Sequence, residues 1–283
     1  MVGLFVGLIT LDFIYLAESP PSNNQKIVAM DYSVAAGGPA TNASVTFNYL
    51  GNQSHLLGML GCHPMTQLIR SDLEKYQVKI WDLDRDCSLS PAVSSIIVTQ
   101  ATGDRAIISI NAVRNQVDRE SLFKSISPDI LQGVDIVMID GHQIVAGWAI
   151  ASMAKSLNIP IVIDGGSWKP GFETILPFVD YAICSANFFP PHCQTEDEVF
   201  NYLTQFNIPH IVITHGENPI TYKTVIETGF IEIPKIPVVD TLGAGDIFHG
   251  AFCHHILGNN FPQALQKAVN IASESCKFFG TRF

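Results

Sequence analysis

Charge is scarce in this 283-residue chain, and positive charge most of all. Only 15% of residues are Asp, Glu, Lys or Arg, and 16 Lys+Arg stand against 26 Asp+Glu, a net charge of −10. No run of Lys or Arg exists to release counterions, which excludes nucleic acid as a partner. A local cationic pocket for a small anion stays open. The first basic residue is Lys26, so the apolar start at 2–9 lacks the charged region and the cleavage site of a secretory signal. No apolar stretch reaches the roughly 18 residues that a spanning helix needs. The six cysteines (Cys62, Cys87, Cys184, Cys193, Cys253 and Cys276) form no Cys-x-x-Cys pair, which suits reduced thiols better than a disulfide frame or a zinc site. The expectation is a cytoplasmic protein with no membrane partner. Walker, strand-linked Gly-x-Gly-x-x-Gly and Gly-x-Ser-x-Gly patterns are missing too, and the nine histidines have no zinc-protease or finger spacing. P-loop, Rossmann dehydrogenase, common hydrolase and zinc-protease readings therefore lack their fingerprints.

What is present is apolar: 47% of the residues. A chain this long buries about three quarters of its unfolded surface without a disulfide or metal. Strand-like runs fall at 4–9, 134–139, 160–163, 181–183 and 210–213, several of them continuous Val/Ile as in strands covered on both faces. Helix patterns lie between them at 146–157 and 196–206, the second behind Thr195 as N-cap. This order predicts an α/β fold with a doubly wound, mainly parallel sheet flanked by helices. Strands at about 26–34 and 92–110, the latter a hairpin near 102–104, break the rhythm and predict a small β lid. A second hairpin is expected over 221–233, turning at 228–229. The reading is a single domain, 1–283, with that lid.

One string carries chemistry: Asp240-Thr241-Leu242-Gly243-Ala244-Gly245-Asp246. It follows a strand-like stretch at 231–239 and opens an apolar helix running to about 257. Small residues at 243–245 leave backbone N–H groups converging at a helix N-terminus, which holds anions. Asp246 sits in the first turn beside that point. Amides that stabilise a moving phosphoryl group next to a carboxylate that accepts a hydroxyl proton are what phosphoryl transfer requires. A Gly-rich turn with Asp as a helix cap is the plainer reading, but six fixed positions arise by chance on the order of 10⁻⁵ per chain.

With this string the sequence resembles the PfkB-type, ribokinase-like carbohydrate kinases, whose C-terminal signature is Asp-Thr-x-Gly-Ala-Gly-Asp. Their N-terminal signature is seen as Gly37-Gly38-Pro39-Ala40-Thr41-Asn42-Ala43, and their sugar-binding Asp, in a Gly-x-x-x-x-Asp setting, matches Asp12 after Gly7. The resemblance implies an ATP-dependent sugar kinase. Asp246 would be the base, and the amides of Gly243, Ala244, Gly245 and Asp246 the anion hole. Asp12, Gly37, Gly38 and Asn42 would hold the sugar; loop capping by Asp12 and helix capping by Asn42 are the alternatives. Thr214 and Gly216 resemble the turn that contacts ATP phosphates, although Pro219 stands where a second glycine is expected. Asn270 is a candidate for the adenine pocket. Arg105 reads either as a substrate clamp or as a solvated hairpin arginine, and Lys169 either as a phosphate contact or as a surface lysine.

The chain departs from the family at 184–190. Many members place Asn-x-x-Glu there to organise Mg²⁺ through water, whereas here the Glu position is Phe188 or Pro190. The implied cofactors are ATP and Mg²⁺, the metal held mainly through nucleotide and water with no protein metal ligand, with room for a monovalent cation. Relatives often run on past this chain's 280–283 near that cation, so the end reads as trimmed. The lid predicts a homodimer. A nucleoside kinase of the same fold and a catalytically weak sugar- or nucleotide-binding regulator are the alternative functions, and the particular sugar is left open.

Overall fold

Continuous apolar strands stand at the centre of the main sheet because both of its faces are covered. The computed structural model describes residues 1–110, 116–117, 122 and 126–282. Its main sheet has nine strands in the order β13-β12-β11-β10-β9-β8-β1-β4-β5. These are β1 (Val2–Val6), β4 (Gln53–Gly58), β5 (Lys79–Asp82), β8 (Ile136–Ile139), β9 (Ile161–Gly165), β10 (Tyr181–Ser185), β11 (His210–His215), β12 (Asn218–Thr224) and β13 (Thr228–Ile231). Pairing is parallel from β5 to β11 and antiparallel at β12 and β13. Every residue of β8 and β9 is buried.

Alternate residues of each strand face opposite helix layers. Leu4, Val6, Val137, Ile139, Ile161 and Ile163 pack with α3 (Ile144–Ser156) and α4 (Glu196–Thr204). Phe5, Leu56, Ile136, Met138, Val162 and Ile183 pack on the other side with α1 (Pro39–Tyr49), α2 (Thr66–Lys75), α5 (Ala244–Ile256) and α6 (Phe261–Ser275). The α4 helix starts as its sequence predicts, with a complete capping box between Thr195 and Glu198. The strand order reverses between β1 and β8, so the carboxyl ends of these strands flank a crevice, the usual ligand position in such sheets.

The lid is a second sheet of four strands, β3-β2-β6-β7. Its hairpin, β6 (Ala92–Thr99) and β7 (Arg105–Ser109), falls within the expected 92–110. The expected strand at 26–34 is displaced: β3 is Asp31–Gly37, and 26–30 has no regular structure. The small residues Ala35-Ala36-Gly37 pair with β2 (Thr10–Ala17), a strand the apolar pattern did not single out. Their small size matters because Asp12 of β2 lies opposite Ala35 on one side and Ser94 of β6 on the other. The expected strand at 231–239 is also corrected. It ends at Ile231, since Pro234 and Pro237 carry no N–H for a ladder. The preceding hairpin turns at 225–227 rather than 228–229, and Gly229 lies inside β13 under the Tyr222 ring. No described helix is long and apolar enough to cross a membrane.

Candidate active site

Two helices cross closely enough to bring the signatures together. Gly250 makes the crossing possible, because a Cβ there would overlap the Ala43 carbonyl of α1. One turn earlier on α5 is Asp246, and its Oδ2 accepts a hydrogen bond from Asn42 Nδ2 of α1 at 2.7 Å. Asn42 is buried and Asp246 half-buried.

The start of α5 is shaped by its own sequence. Gly243 takes a left-handed φ of 71° as N-cap, a conformation glycine adopts without strain. Asp240 ties the turn down: its carboxylate accepts from Leu242 N and from Gly280 N, each at 2.8 Å. The Ala244 N–H turns back to Thr241 O at 3.3 Å. The N–H groups of Gly245 and Asp246 have no acceptor among the described residues, and a Cβ on Gly245 would meet open space. Two free amides at a helix N-terminus thus open onto the cleft beside a carboxylate.

The surroundings of Asp246 raise its carboxyl from the ordinary 3.8 to about 7. Burial is the main cause, followed by the negative charge of Asp164 at the end of β9. The hydrogen bond from Asn42, the His249 ring and the Arg105 guanidinium act in the opposite direction. His249, one turn along α5, faces Gly245 O at 2.7 Å, Ile183 O at 3.3 Å and Asp164 Oδ2 at 3.6 Å. It links the ends of β9 and β10 to the base of the helix.

Asp12 is buried on the lid side, and its Oδ1 accepts from Thr10 Oγ1 at 2.7 Å. Burial raises its carboxyl, while hydrogen bonds from Thr10 and Ser94 and the charge of Arg282 lower it. Gly37 makes room for this group, since a Cβ there would overlap the Asp12 carboxylate. Gly38, with φ 103°, is the N-cap of α1. Asp140, at the end of β8, fixes that helix start. It accepts from Leu8 N at 2.9 Å, Ala40 N at 3.2 Å and His142 N at 2.8 Å.

Other expected site residues lie at varied distances from this centre. Arg105 Nη1 donates to Thr241 O and Oγ1 at 3.0 and 2.9 Å, so the lid hairpin is latched to the turn before α5. Thr214 and Gly216 flank the end of β11, with Thr214 Oγ1 donating to Cys184 O at 3.4 Å. Asn270 is on the exposed face of α6, where its Oδ1 accepts from Gln266 at 3.5 Å. Lys169 donates to Ser167 O at 3.2 Å and lies over the Phe172 ring. Phe188, one of the two positions at which the resemblance leads an acid to be expected, is fully buried against Trp168 and Phe172 and presents an apolar ring to the core.

The site also contains residues that the sequence pattern did not reveal as such: Asp140, His249 and Arg282. A carboxylate ending an all-apolar strand was the signal for Asp140. Arg282 carried none.

A family model described as pfkB family carbohydrate kinase matches residues 4–283. The chain belongs to that family. This kinase is therefore a phosphotransferase with an alcohol group as acceptor. Ribokinase of Bacillus subtilis (strain 168) is 22% identical over 98% of this chain and 93% of its own length. Deoxyribokinase of Salmonella typhi is likewise 22% identical over 98% of the kinase and 93% of that relative. The structure of Arabidopsis thaliana ribokinase complexed with ribose and ATP superposes with a TM-score of 0.77 at 20% identity, covering 99% of this chain and 93% of that one.

Proposed function

We propose that the kinase transfers the γ-phosphoryl group of ATP to a hydroxyl of a small sugar, acting as one domain, 1–283, with Asp246 as the base. The observation that carries this reading is a carboxyl raised to about 7 in the same helical turn as two unsatisfied amides. A base with that value is ionised in half the molecules near neutral pH and holds a proton strongly enough to take one from a hydroxyl in the transition state. The amides of Gly245 and Asp246 would hold the transferred group, with Ala244 joining them if its 3.3 Å contact to Thr241 yields. Asp12, Gly38 and Asn42 would orient the sugar, with Gly37 leaving space for Asp12.

The donors present fit the phosphates of a nucleotide, since two free amides and an open Gly245 suit an anion. When bound, ATP would supply the phosphoryl group and Mg²⁺ would offset charge on its phosphates. Thr214 and Gly216 would meet the nucleotide at the end of β11, and Asn270 is the candidate for its base. A monovalent cation belongs to the same reading. Arg105, latched to Thr241, would hold the lid shut and exclude water from the reacting group rather than clamp the sugar. A homodimer is also part of this reading. Tyr32 and Ile108 are exposed on the two edge strands of the lid, where a second copy could cover them.

The test is sugar-stimulated ADP release across pentoses, ketohexoses, sugar acids, sulfosugars and nucleosides, scored by kcat/KM. Asp246→Asn is expected to lower kcat by about 10²–10⁴-fold while sparing sugar binding. Undiminished turnover in that variant overturns the base assignment. Preference for a nucleoside would move the substrate class.

A further inference from the structure

Asn42 is satisfied at both ends of its amide. Its Nδ2 donates to Asp246 Oδ2 at 2.7 Å, and its Oδ1 accepts from Arg282 Nη1 at 3.0 Å. Arg282 is itself held on several sides. Its Nη1 also donates to Thr281 Oγ1 at 2.8 Å, and its Nη2 donates to Ala36 O and, at 3.1 Å, to Asp72 Oδ2. Its guanidinium lies 5.3 Å from the centre of the Tyr76 ring. The side chain is only 12% exposed, and Asp72 on α2 also accepts from Ala36 N at 2.9 Å. The segment carrying it is seated against the motif turn, where a Cβ on Gly243 would come within 2.8 Å of Thr281.

An asparagine amide has a donating end and an accepting end, and arginine has no acceptor. Turning the Asn42 amide over would set its NH₂ against the guanidinium and its carbonyl against the Asp246 carboxylate. We propose that Arg282 is a positioning residue that locks the Asn42 amide with its donor end toward Asp246, and so favours the ionised, proton-accepting form of that carboxylate. The proposal rests on Asp246 being the base. Ionised Asp246 can only accept, and the locked amide meets it with a donor. Protonated Asp246 would need an acceptor, and Arg282 withholds the Asn42 carbonyl from it.

Other groups also bear on Asp246. Asp164 from β9 raises it, while His249 on α5 and Arg105 from the lid lower it. None of these is altered by exchanging Arg282 for an uncharged residue of similar length, but the exchange also removes the charge that lowers Asp12, so the titration of Asp246 itself is the readout that isolates the lock.

Arg282→Met should move the acid limb of kcat upward from about 7. A shift of about one pH unit gives a roughly tenfold loss of kcat below the limb, and the two enzymes should converge at high pH. Added guanidinium should restore part of the loss, and Arg282→Lys should lie between. In an Asp246→Asn background, Arg282→Met should change kcat less than about twofold, because the two residues act as one unit. The ¹³C titration of the Asp246 carboxyl should show the same upward shift without turnover. That readout separates the lock from the base assignment, which fails by itself if Asp246→Asn turns over normally. A loss in Arg282→Met that is equal at all pH values, or an unmoved Asp246 titration, overturns the proposal. Should Arg282→Met fail to fold, Asp72→Asn removes the charge that seats Arg282; it should move the limb in the same direction, and an unmoved limb there overturns the proposal as well.

Discussion

Replacing Asp246 by Asn keeps the shape of the side chain and removes its charge, and the raised carboxyl fixes what this should do to stability. The group titrates at 3.8 when unperturbed and at about 7 in the folded chain. A carboxyl raised on folding binds its proton more tightly in the native state. It costs nothing when both states are protonated, well below 3.8, and its cost grows as pH rises until the native group also ionises near 7. With about 1.36 kcal/mol per unit, the cost is about 4 kcal/mol at pH 8 and less than half of that at pH 5. Asn avoids this cost and still offers Oδ1 to Asn42 Nδ2. Asp246→Asn should therefore be more stable than the parent, by about 4 kcal/mol at pH 8 and less than half of that at pH 5. For a chain of this length the pH 8 gain is a Tm increase of about 7 °C, taking about 2.1 cal/mol/K per residue for the entropy of unfolding. Urea or thermal unfolding at both pH values checks it. A variant no more stable than the parent at pH 8, or equally stabilised at pH 5 and pH 8, would refute the reasoning that burial and Asp164 raise this carboxyl. Stability gained while turnover is lost would be the trade expected of a strained catalytic group.

Four further outcomes follow from the same geometry. The parent kcat should rise through an acid limb near 7 as Asp246 ionises, and a limb near 4 in the pH profile would contradict its environment. Gly37→Ala places a Cβ on the Asp12 carboxylate; it should raise the sugar KM at least about tenfold and cost about 1–3 kcal/mol in a urea melt. Asp140→Ala strips the acceptor from three backbone N–H groups of Leu8, Ala40 and His142. It should destabilise the chain by about 3 kcal/mol or more, read as Tm, because buried donors are left unpaired. Arg105→Ala releases the lid from Thr241; sugar-independent ATP hydrolysis should rise relative to sugar phosphorylation, measured by phosphate release, and an unchanged ratio would deny the latch.

Legibility in the sequence followed the distance over which each feature is made. The 240–246 turn, the Thr195 cap of α4 and the apolar strands expected at 134–139 and 160–163 are local, so spacing and residue type suffice to read them. The lid was only half legible. Its β6–β7 hairpin announces itself with a Gly turn, whereas β2 and β3 exist because Thr10–Ala17 and Asp31–Gly37 find each other as partners. Ala35-Ala36-Gly37 looks like a loop until the Asp12 carboxylate is seen to need the space.

By itself the sequence determined an α/β chain with a helix N-terminus able to hold an anion and a carboxylate in its first turn. Those properties come from contiguous residues and hold wherever that helix is placed. Only the tertiary structure decided which groups surround the carboxylate. Asn42, Asp164 and Arg105 reach Asp246 from three different elements, and Arg282 and Asp72 stand behind Asn42 from two more. A pKa near 7 and a fixed amide are properties of that enclosure. They arise from burial and charge brought together across more than 200 positions, as between Asn42 and Asp246, and no spacing along the chain encodes them.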